Sequence, residues 1–191
     1  DLNIDYKEAS GEAAFYGPKL DIQIKNVHGK EDTLITIQID FQLAERFGMT
    51  YVDAEGQTKY PYVIHRTSIG CYERTLALLL EKYAGALPTW LMPEQVRVLP
   101  ISDRLIDDAK KVEEQLSRAG IRVSCDTRSE KVGYKIREAQ LEKIPYMLVI
   151  GDKEVEEGTV SVRSRKDGDL GSMPVESFLS KILQEIATKA K

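Results

Sequence analysis

The sequence is poor in cysteine, histidine and tryptophan, with two, two and one of them among 191 residues. Cys71 and Cys125 fit no metal-ligand or disulfide spacing, so we expect reduced thiols in a cytoplasmic protein. No run of about 18 apolar residues occurs, which excludes a transmembrane helix, and we expect no membrane partner. No charged and then apolar leader opens the chain, so no signal peptide is predicted. The absence of an initiating Met suggests a piece of a longer protein.

Neither sign of charge dominates, since 27 Lys and Arg against 31 Asp and Glu give a net charge of −4. Residues 1–93 carry nine basic against 13 acidic side chains, whereas residues 94–191 carry 18 of each. This balance argues against a strongly electrostatic, nonspecific nucleic-acid binder. It leaves single-stranded RNA open as a ligand, because RNA is also recognised by base stacking and local hydrogen bonds.

The pattern of the first half predicts three strands followed by a helix. Apolar and polar residues alternate over 20–24 and 34–41, and a third strand is predicted over 60–65. Strands in close succession favour an antiparallel sheet. Apolar residues at helical spacing predict a helix over 69–83.

The second half has a different order of predicted strands and helices. Pro88 and Pro93 mark a boundary, so we predict domains at 1–93 and 94–191. Beyond that boundary short apolar strands alternate with helices, which is typical of βαβ crossovers and a mixed, largely parallel sheet. The predicted fold class is therefore an α+β first part followed by an α/β domain. The predicted strands lie at 95–101, 121–125, 145–150 and 159–165, and the predicted helices at 102–119, 131–142 and 175–190.

The segment from His65 to Arg74 joins the third predicted strand to the helix. Within it, Gly70 lets a ligand approach the backbone closely. Arg74 lies in the first helical turn, where a cation gains nothing from the helix dipole. A nucleotide base or a phosphate is the natural partner for its planar guanidinium. On spacing alone, a surface pair of Glu73 and Arg74, with His65 an ordinary strand residue, is the favoured explanation.

Gly17-Pro18 predicts a rigid turn that presents Tyr16 and Lys19 at the mouth of the sheet. A lysine placed there meets a carboxylate or phosphate, or else water. Gln38 faces away from the alternating apolar residues. It contacts substrate if the sheet lines a pocket, and solvent if it does not.

In the second half, polar and basic residues collect where two predicted strands end, over 127–137 and 151–154. Open α/β sheets bind ligands at the carboxyl ends of their strands, so we expect both loops to face one crevice. Arg163 and Arg165 project from the following strand. A solvated loop surface is the alternative. No GxGxxG or P-loop pattern supports dinucleotide or Walker-type nucleotide binding.

Four stretches together resemble the carboxyl-terminal part of the threonyl-tRNA synthetase family, a group of class II aminoacyl-tRNA ligases. They are 14–19, 37–41, 65–74 and 144–154. The third is similar to class II motif 3, which ends in Glu-Arg. The fourth, with 135–137 before it, is similar to the anticodon-binding domain shared by the threonyl, prolyl, histidyl and glycyl enzymes. The resemblance covers essentially the whole chain, and it implies ATP-dependent attachment of threonine to threonine tRNA, with Mg²⁺ accompanying the ATP.

The resemblance also implies roles for individual residues. His65 matches one of three ligands of a Zn²⁺ ion that binds threonine, and such a zinc rejects valine, which has no hydroxyl. Arg74 matches the motif 3 arginine that packs on ATP. The positions that match the threonine site are Tyr16, Gln38 and Lys19. The positions that match contacts to anticodon bases are Ser129, Arg137, Glu154 and Arg163.

Parts of the family pattern have no counterpart in these residues. They are motif 1, through which the family forms homodimers, motif 2, and the other two zinc ligands. We therefore expect a ligase chain that does not activate threonine alone. The alternative is a non-catalytic anticodon-domain protein that binds tRNA or another RNA, but such a protein has no use for His65 and Arg74 together. A flavodoxin-like small-molecule binder ranks last, because it leaves residues 1–93 unexplained.

Overall fold

The computed structural model describes residues 4–190, and the chain divides into two compact units between Lys82 and Tyr83. This division differs from the predicted boundary after residue 93. Residues 83–93 pack with the second unit because their carbonyl oxygens are bonded within it. The Arg165 guanidinium donates to the carbonyl of Leu87 at 2.7 Å, and Arg122 donates to that of Met92.

The first unit contains a three-stranded antiparallel sheet in the order β1-β2-β5, as the alternating pattern predicts. A separate two-stranded hairpin, β3-β4, surrounds the turn at 53–56, and neither it nor a four-residue helix was predicted. The elements are β1 (Lys19–Lys25), β2 (Glu31–Asp40), α1 (Leu43–Arg46), β3 (Tyr51–Val52), β4 (Thr58–Lys59), β5 (Val63–Arg66) and α2 (Tyr72–Lys82).

The second unit is built on a five-stranded mixed sheet. Its elements are β6 (Val96–Pro100), a 3₁₀ turn (Asp103–Leu105), α3 (Ile106–Arg118), β7 (Val123–Cys125), α4 (Val132–Leu141), β8 (Tyr146–Ile150), α5 (Asp152–Glu157), β9 (Thr159–Ser164), β10 (Gly168–Pro174) and α6 (Val175–Ala187). The strand order is β10-β9-β8-β6-β7. The pairs β6-β7 and β6-β8 are parallel, and β8-β9 and β9-β10 are antiparallel.

The mixed α/β architecture confirms the predicted fold class, but the parallel part is smaller than expected. The short helix α5 and the strand β10 were missed. The sequence predicts a loop over 151–154, yet Asp152 begins a helix of six residues. That helix is too short to show helical periodicity, and β10 contains two glycines that hide its alternation.

One face of the five-stranded sheet carries the hydrophobic core of the second unit. Alternate residues of β6, β8 and β9 meet helices α3 and α6 there. In α6 the buried positions Val175, Phe178 and Ile182 recur three and four residues apart, which puts them on one helical face. Among residues 4–190, no helix is long and apolar enough to cross a membrane.

Candidate substrate and RNA sites

A row of polar side chains crosses the sheet of the first unit. Lys19 of β1 lies opposite Gln38 of β2, which lies opposite His65 of β5. Directly opposed residues project to the same face of a sheet, so the three share one surface. Tyr16 joins them, because its hydroxyl donates to Gln38 Oε1 at 2.9 Å and its ring centroid lies 6.3 Å from that of His65. The structure thus brings together four residues that the sequence singled out separately.

Tyr16 is positioned by backbone pairing. The Ile39 amide donates to the Pro18 carbonyl and the Phe41 amide donates to the Tyr16 carbonyl, each at 3.0 Å. Gly17 lies so close to β2 that a Cβ atom there would stand 2.0 Å from the Ile39 carbonyl oxygen. The predicted turn is therefore an extension of the sheet that only glycine permits.

Asp40 is a residue of this surface that the sequence argument missed. Its buried carboxylate lies 3.1 Å from His65 Nε2 and accepts the backbone amides of Gln42 and Leu43, both at 2.8 Å. Burial by itself would raise the pKa of Asp40, but those amides and His65 together hold the pKa below its ordinary value. Asp40 has the same parity as Gln38 along β2, and that alternation was the available signal.

The Lys19 side chain is held in place by a neighbouring carboxylate on the same strand. Its ammonium donates to Asp21 at 2.7 Å, and the hydroxyl of Thr36 donates to the other oxygen of the same carboxylate. The hydrogen bond and the opposite charge raise the pKa of Lys19 and lower that of Asp21. One of the three ammonium donors is used in this way, so Lys19 presents a fixed positive charge beside Gln38.

The resemblance implies zinc at His65, and the donor set tests that expectation. Catalytic zinc sites use three protein ligands. Within residues 4–190, no group of three or more His, Cys, Asp or Glu side chains is arranged to hold a metal ion. Asp40 lies beside His65 through its Oδ2 atom, while its Oδ1 atom accepts two backbone amides. The residues described here do not make a zinc site by themselves.

Arg74 lies at a separate place, beside the start of β2. Its Nη1 donates to the Thr33 carbonyl at 3.0 Å, and with Glu81 it lines a groove of about 100 Å³. Glu73 accepts from the Cys71 thiol at 2.8 Å and Arg74 donates to Thr33, so each member of the pair that explains the spacing most simply has another partner. Thr33 precedes Gln38 by five residues, about 17 Å of extended chain, so this arginine is not part of the polar row.

The loop before α2 is held tightly against β2. Gly70 has a φ of +68°, and a Cβ atom there would stand 2.1 Å from the Leu34 carbonyl oxygen. The hydroxyl of Thr75 donates to the Ile69 carbonyl at 2.6 Å and closes the first turn of the helix. The glycine therefore lets the loop pack closely against β2. This packing fixes where α2 starts and so where Arg74 lies.

In the second unit, Arg163 and Glu154 share the sheet face opposite the hydrophobic core. Val162, next to Arg163 in β9, belongs to that core, so Arg163 projects the other way. Glu154 accepts from the hydroxyl of Ser172 at 3.3 Å, and Ser172 pairs with Ser161, two residues before Arg163. Both predicted contacts therefore lie over β9 and β10. Arg163 also pairs with Asp169 at 3.0 Å in an exposed ion pair.

Ser129 and Arg137 lie farther along the same unit, around α4. The hydroxyl of Ser129 donates to Asp103 at 2.9 Å, which ties the loop after β7 to the 3₁₀ turn after β6. Arg137 is exposed on α4 and has no hydrogen bond or ion pair within the described residues. β7 and β9 are three strand spacings apart, roughly 14 Å. Ser129 and Arg163 therefore lie beside strands that are not adjacent in the sheet.

Arg165 has a structural role instead. Its half-buried guanidinium donates to three backbone carbonyls, those of Lys143, Ala86 and Leu87. Burial lowers its pKa from the ordinary arginine value. The strand pattern placed Arg165 two residues after Arg163, but the two arginines have different partners. Arg165 bonds backbone carbonyls, whereas Arg163 pairs with Asp169 on the surface.

Two family models match the chain, and the division between its units falls near the end of the first match. The tRNA synthetase class II core domain (G, H, P, S and T) matches residues 3–83, and the anticodon binding domain matches residues 95–185. A threonine–tRNA ligase of Clostridium perfringens (strain SM101) is 66% identical over 188 residues, 98% of this chain. The chain belongs to the threonyl-tRNA synthetase family. This confirms the resemblance found in the sequence.

Other members of the threonyl-tRNA synthetase family agree with this assignment. The threonine–tRNA ligase of Clostridium botulinum (strain Eklund 17B) is 62% identical over the whole chain. A crystal structure of the RNA binding domain of threonyl-tRNA synthetase from Cryptosporidium parvum superposes with a TM-score of 0.82 at 39% identity, over 91% of this chain and 44% of that one. The chain spans only 29% and 30% of the two Clostridium ligases.

Proposed function

We propose that this chain takes part in the ATP-dependent attachment of threonine to threonine tRNA, supplying motif 3 and anticodon recognition. The observation that carries the proposal is the polar row Lys19–Gln38–His65 with Tyr16, present in the same chain as an anticodon-binding domain. A pure RNA-binding module has no need of such a row. Class II synthetases in general use ATP and Mg²⁺.

The proposed threonine site is the polar row. Gln38 accepts a hydrogen bond from Tyr16 through its carbonyl oxygen, which leaves its amide group to donate to a ligand. Lys19 supplies a positive charge beside it for a carboxylate or phosphate. His65 serves as one zinc ligand only where residues beyond this chain complete the set, and a complete zinc site would favour threonine over valine through the hydroxyl.

The proposed contact to ATP is Arg74. Only one of its guanidinium donors is used, at the Thr33 carbonyl, so a planar array of N–H groups stays available for a base or phosphate. Adenylation is mostly positioning and charge neutralisation, and an arginine held at a helix start suits that task. Mg²⁺ would neutralise the phosphate tail of the ATP.

The proposed anticodon contacts are Ser129, Arg137, Glu154 and Arg163. A carboxylate such as Glu154 accepts from a base amino group, and an exposed guanidinium stacks on a base or donates in pairs. Their placement beside β7 and β9, strands roughly 14 Å apart, suits several splayed bases rather than a single one. We further propose a cytoplasmic location. The homodimer that the resemblance implies depends on motif 1, which has no counterpart in these residues.

The test is RNA binding by the 191-residue chain at two salt concentrations, comparing threonine tRNA with the same tRNA carrying an altered anticodon. We expect discrimination that persists as salt rises, because base contacts carry specificity and phosphate contacts carry the salt dependence. Equal binding that fades with salt would reject anticodon recognition and favour a general RNA-binding module.

A second assay tests the catalytic part of the proposal. Threonine-dependent exchange of pyrophosphate into ATP should be undetectable for the 191-residue chain, because its zinc donor set is incomplete. Detectable exchange would contradict that expectation. A full-length ligase from a close relative, assayed in parallel, is the positive control.

A further inference from the structure

Lys135 is a buried lysine, with 2% of its surface exposed. It lies on α4, where its neighbour Tyr134 is exposed. Its ammonium donates to the carbonyl oxygen of Asp126 at 3.0 Å and to that of Pro100 at 3.3 Å. Pro100 ends β6, and Asp126 directly follows β7. One ammonium therefore ties helix α4 to the ends of two adjacent parallel strands.

Burial of this charge is costly and needs a reason. Lysine is almost never fully buried unless its charge is compensated, and a methionine of similar length would fill the same space without a charge to desolvate. The compensation here comes from two main-chain carbonyls. The charge also acts on the Asp126 carboxylate, whose pKa is lowered first by the hydrogen bond from Arg128 and in part by Lys135.

The two carbonyls belong to the segments that carry proposed RNA contacts. Asp126 begins the loop that leads to Ser129, and Pro100 precedes the turn that contains Asp103. Ser129 and Asp103 are hydrogen-bonded to each other at 2.9 Å. Arg137 follows Lys135 by two residues on the same helix. Lys135 thus lies at the junction of three segments that must keep a fixed mutual position if they are to read bases.

We propose that Lys135 is a positioning residue for anticodon recognition: its buried ammonium holds the loops after β6 and β7 against α4. The inference rests on the proposed function of this surface. Lys135 touches no RNA, since its side chain is enclosed. Its effect is on the geometry of Ser129 and Arg137, and so on specificity more than on general affinity for RNA.

The experiment compares the unaltered 191-residue chain with Lys135→Met and Lys135→Gln. Binding is measured to an RNA stem-loop with a threonine anticodon and to one with an altered anticodon, at two salt concentrations. Amide hydrogen exchange is followed over 101–105 and 126–130. The control is Ile182→Ala, which removes buried apolar contacts on α6 instead.

We expect Lys135→Met to reduce the ratio of affinities for the two RNAs about tenfold, equivalent to about 1.4 kcal/mol. The salt dependence of binding should stay unchanged, because no phosphate contact is removed. Exchange in both loops should accelerate. Lys135→Gln should recover part of both effects, since its amide can still donate to one carbonyl. Ile182→Ala should keep both the discrimination and the slow exchange of the loops.

Discrimination in Lys135→Met equal to that of the unaltered chain would overturn the inference, and so would equal losses in the Ile182→Ala control. If Lys135→Met fails to fold, the Gln variant decides by the same two measurements. If the unaltered chain itself does not discriminate, the proposed function fails. The exchange rates still decide whether Lys135 holds the loops, and unchanged rates would reject that role.

Discussion

The two units of the chain bury their side chains very differently. In the second unit, strands and helices enclose a continuous core that includes Val98, Leu148, Phe178 and Ile182. Between residues 4 and 82, only Ala44 and Asp40 are buried. The first unit is nevertheless ordered around its polar row, because the strands are paired and their polar side chains bond across the sheet.

Several large apolar side chains of the first unit are exposed. They are Leu20, Ile22 and Ile64 on the sheet, and Leu76 and Leu80 on α2. The chain spans less than a third of the length of each Clostridium ligase. Strand register specifies the polar row although Ala44 is the only buried apolar residue between residues 4 and 82.

The largest expected effect is loss of the second core. Phe178 is fully buried, and its ring lies 5.4 Å from that of Tyr146 in an edge-to-face contact. We expect Phe178→Ala to lower the free energy of unfolding of the second unit by about 3–5 kcal/mol. Leu76→Ala on the exposed face of α2 should change the free energy of unfolding of the first unit by less than about 0.5 kcal/mol. Urea titrations of both variants measure the contrast, and equal effects would break the comparison.

A smaller effect is expected at the charged network beneath α4. Arg97 donates to Glu94 and to Glu142, each in a salt bridge of 2.6 Å. Arg97→Met should cost about 1.5–3 kcal/mol near neutral pH, the range for hydrogen bonds to charged groups. Urea titration near pH 7 measures it. A cost indistinguishable from zero would show that the exposed side of the network is screened by water.

The same variant has a predicted pH dependence. The hydrogen bond from Arg97 lowers the pKa of Glu142 below the unfolded value of 4.5. This carboxylate therefore adds stability above pH 4.5, and the contribution is lost as the pH falls through its lower folded pKa. We expect stability to fall less on acidification in Arg97→Met than in the unaltered chain. A steeper fall in the variant would contradict this assignment.

At the proposed RNA surface we expect Arg163→Ala to reduce discrimination between cognate and altered anticodons by about 1–3 kcal/mol. The matched control is Arg118→Ala, because Arg118 is also an arginine in a surface ion pair but lies on α3. Binding of the two RNAs at fixed salt measures both variants. Equal losses in both would show that only general charge attraction is being removed.

The smallest expected change in stability concerns the uncovered sheet of the first unit. Ile64 is 65% exposed on β5. Ile64→Thr keeps a β-branched side chain and should alter the free energy of unfolding by less than about 0.5 kcal/mol. It should reduce self-association, because exposed apolar sheet surface favours contact between chains. Sedimentation over a concentration series measures this, with Val27→Thr in the exposed β1–β2 turn as the control.

Much of the fold could be predicted because its elements carry strong local patterns. Alternation predicted the strands around Gln38 and Arg163, and helical spacing predicted α6. The short helix at Asp152 and the glycine-containing strand β10 have no such pattern and were missed. Pro88 and Pro93 marked a break in the chain, but contacts made by Arg165 and Arg122 from far along the sequence assign residues 83–93 to the second unit.

The candidate residues also fall into two groups, those that the sequence indicated and those that only the structure revealed. Family motifs pointed to Tyr16, Gln38 and His65 individually, and strand register placed them side by side. Asp40 was within reach of the alternation argument, since it follows Gln38 on the same face of β2. Nothing in the local sequence distinguishes Lys135 from a solvated lysine, and only the enclosing strand ends reveal it as buried.

The amino-acid sequence by itself determined the main helices and strands, the two-part organisation and the family, because each depends on short-range periodicity or on contiguous motifs. Only the tertiary structure decided which residues stand opposite one another, that Arg165 serves the backbone while Arg163 faces outward, and that Lys135 is buried against the ends of β6 and β7. The physical reason is that pairing register and burial are set by contacts between residues distant in the chain, which no local pattern encodes.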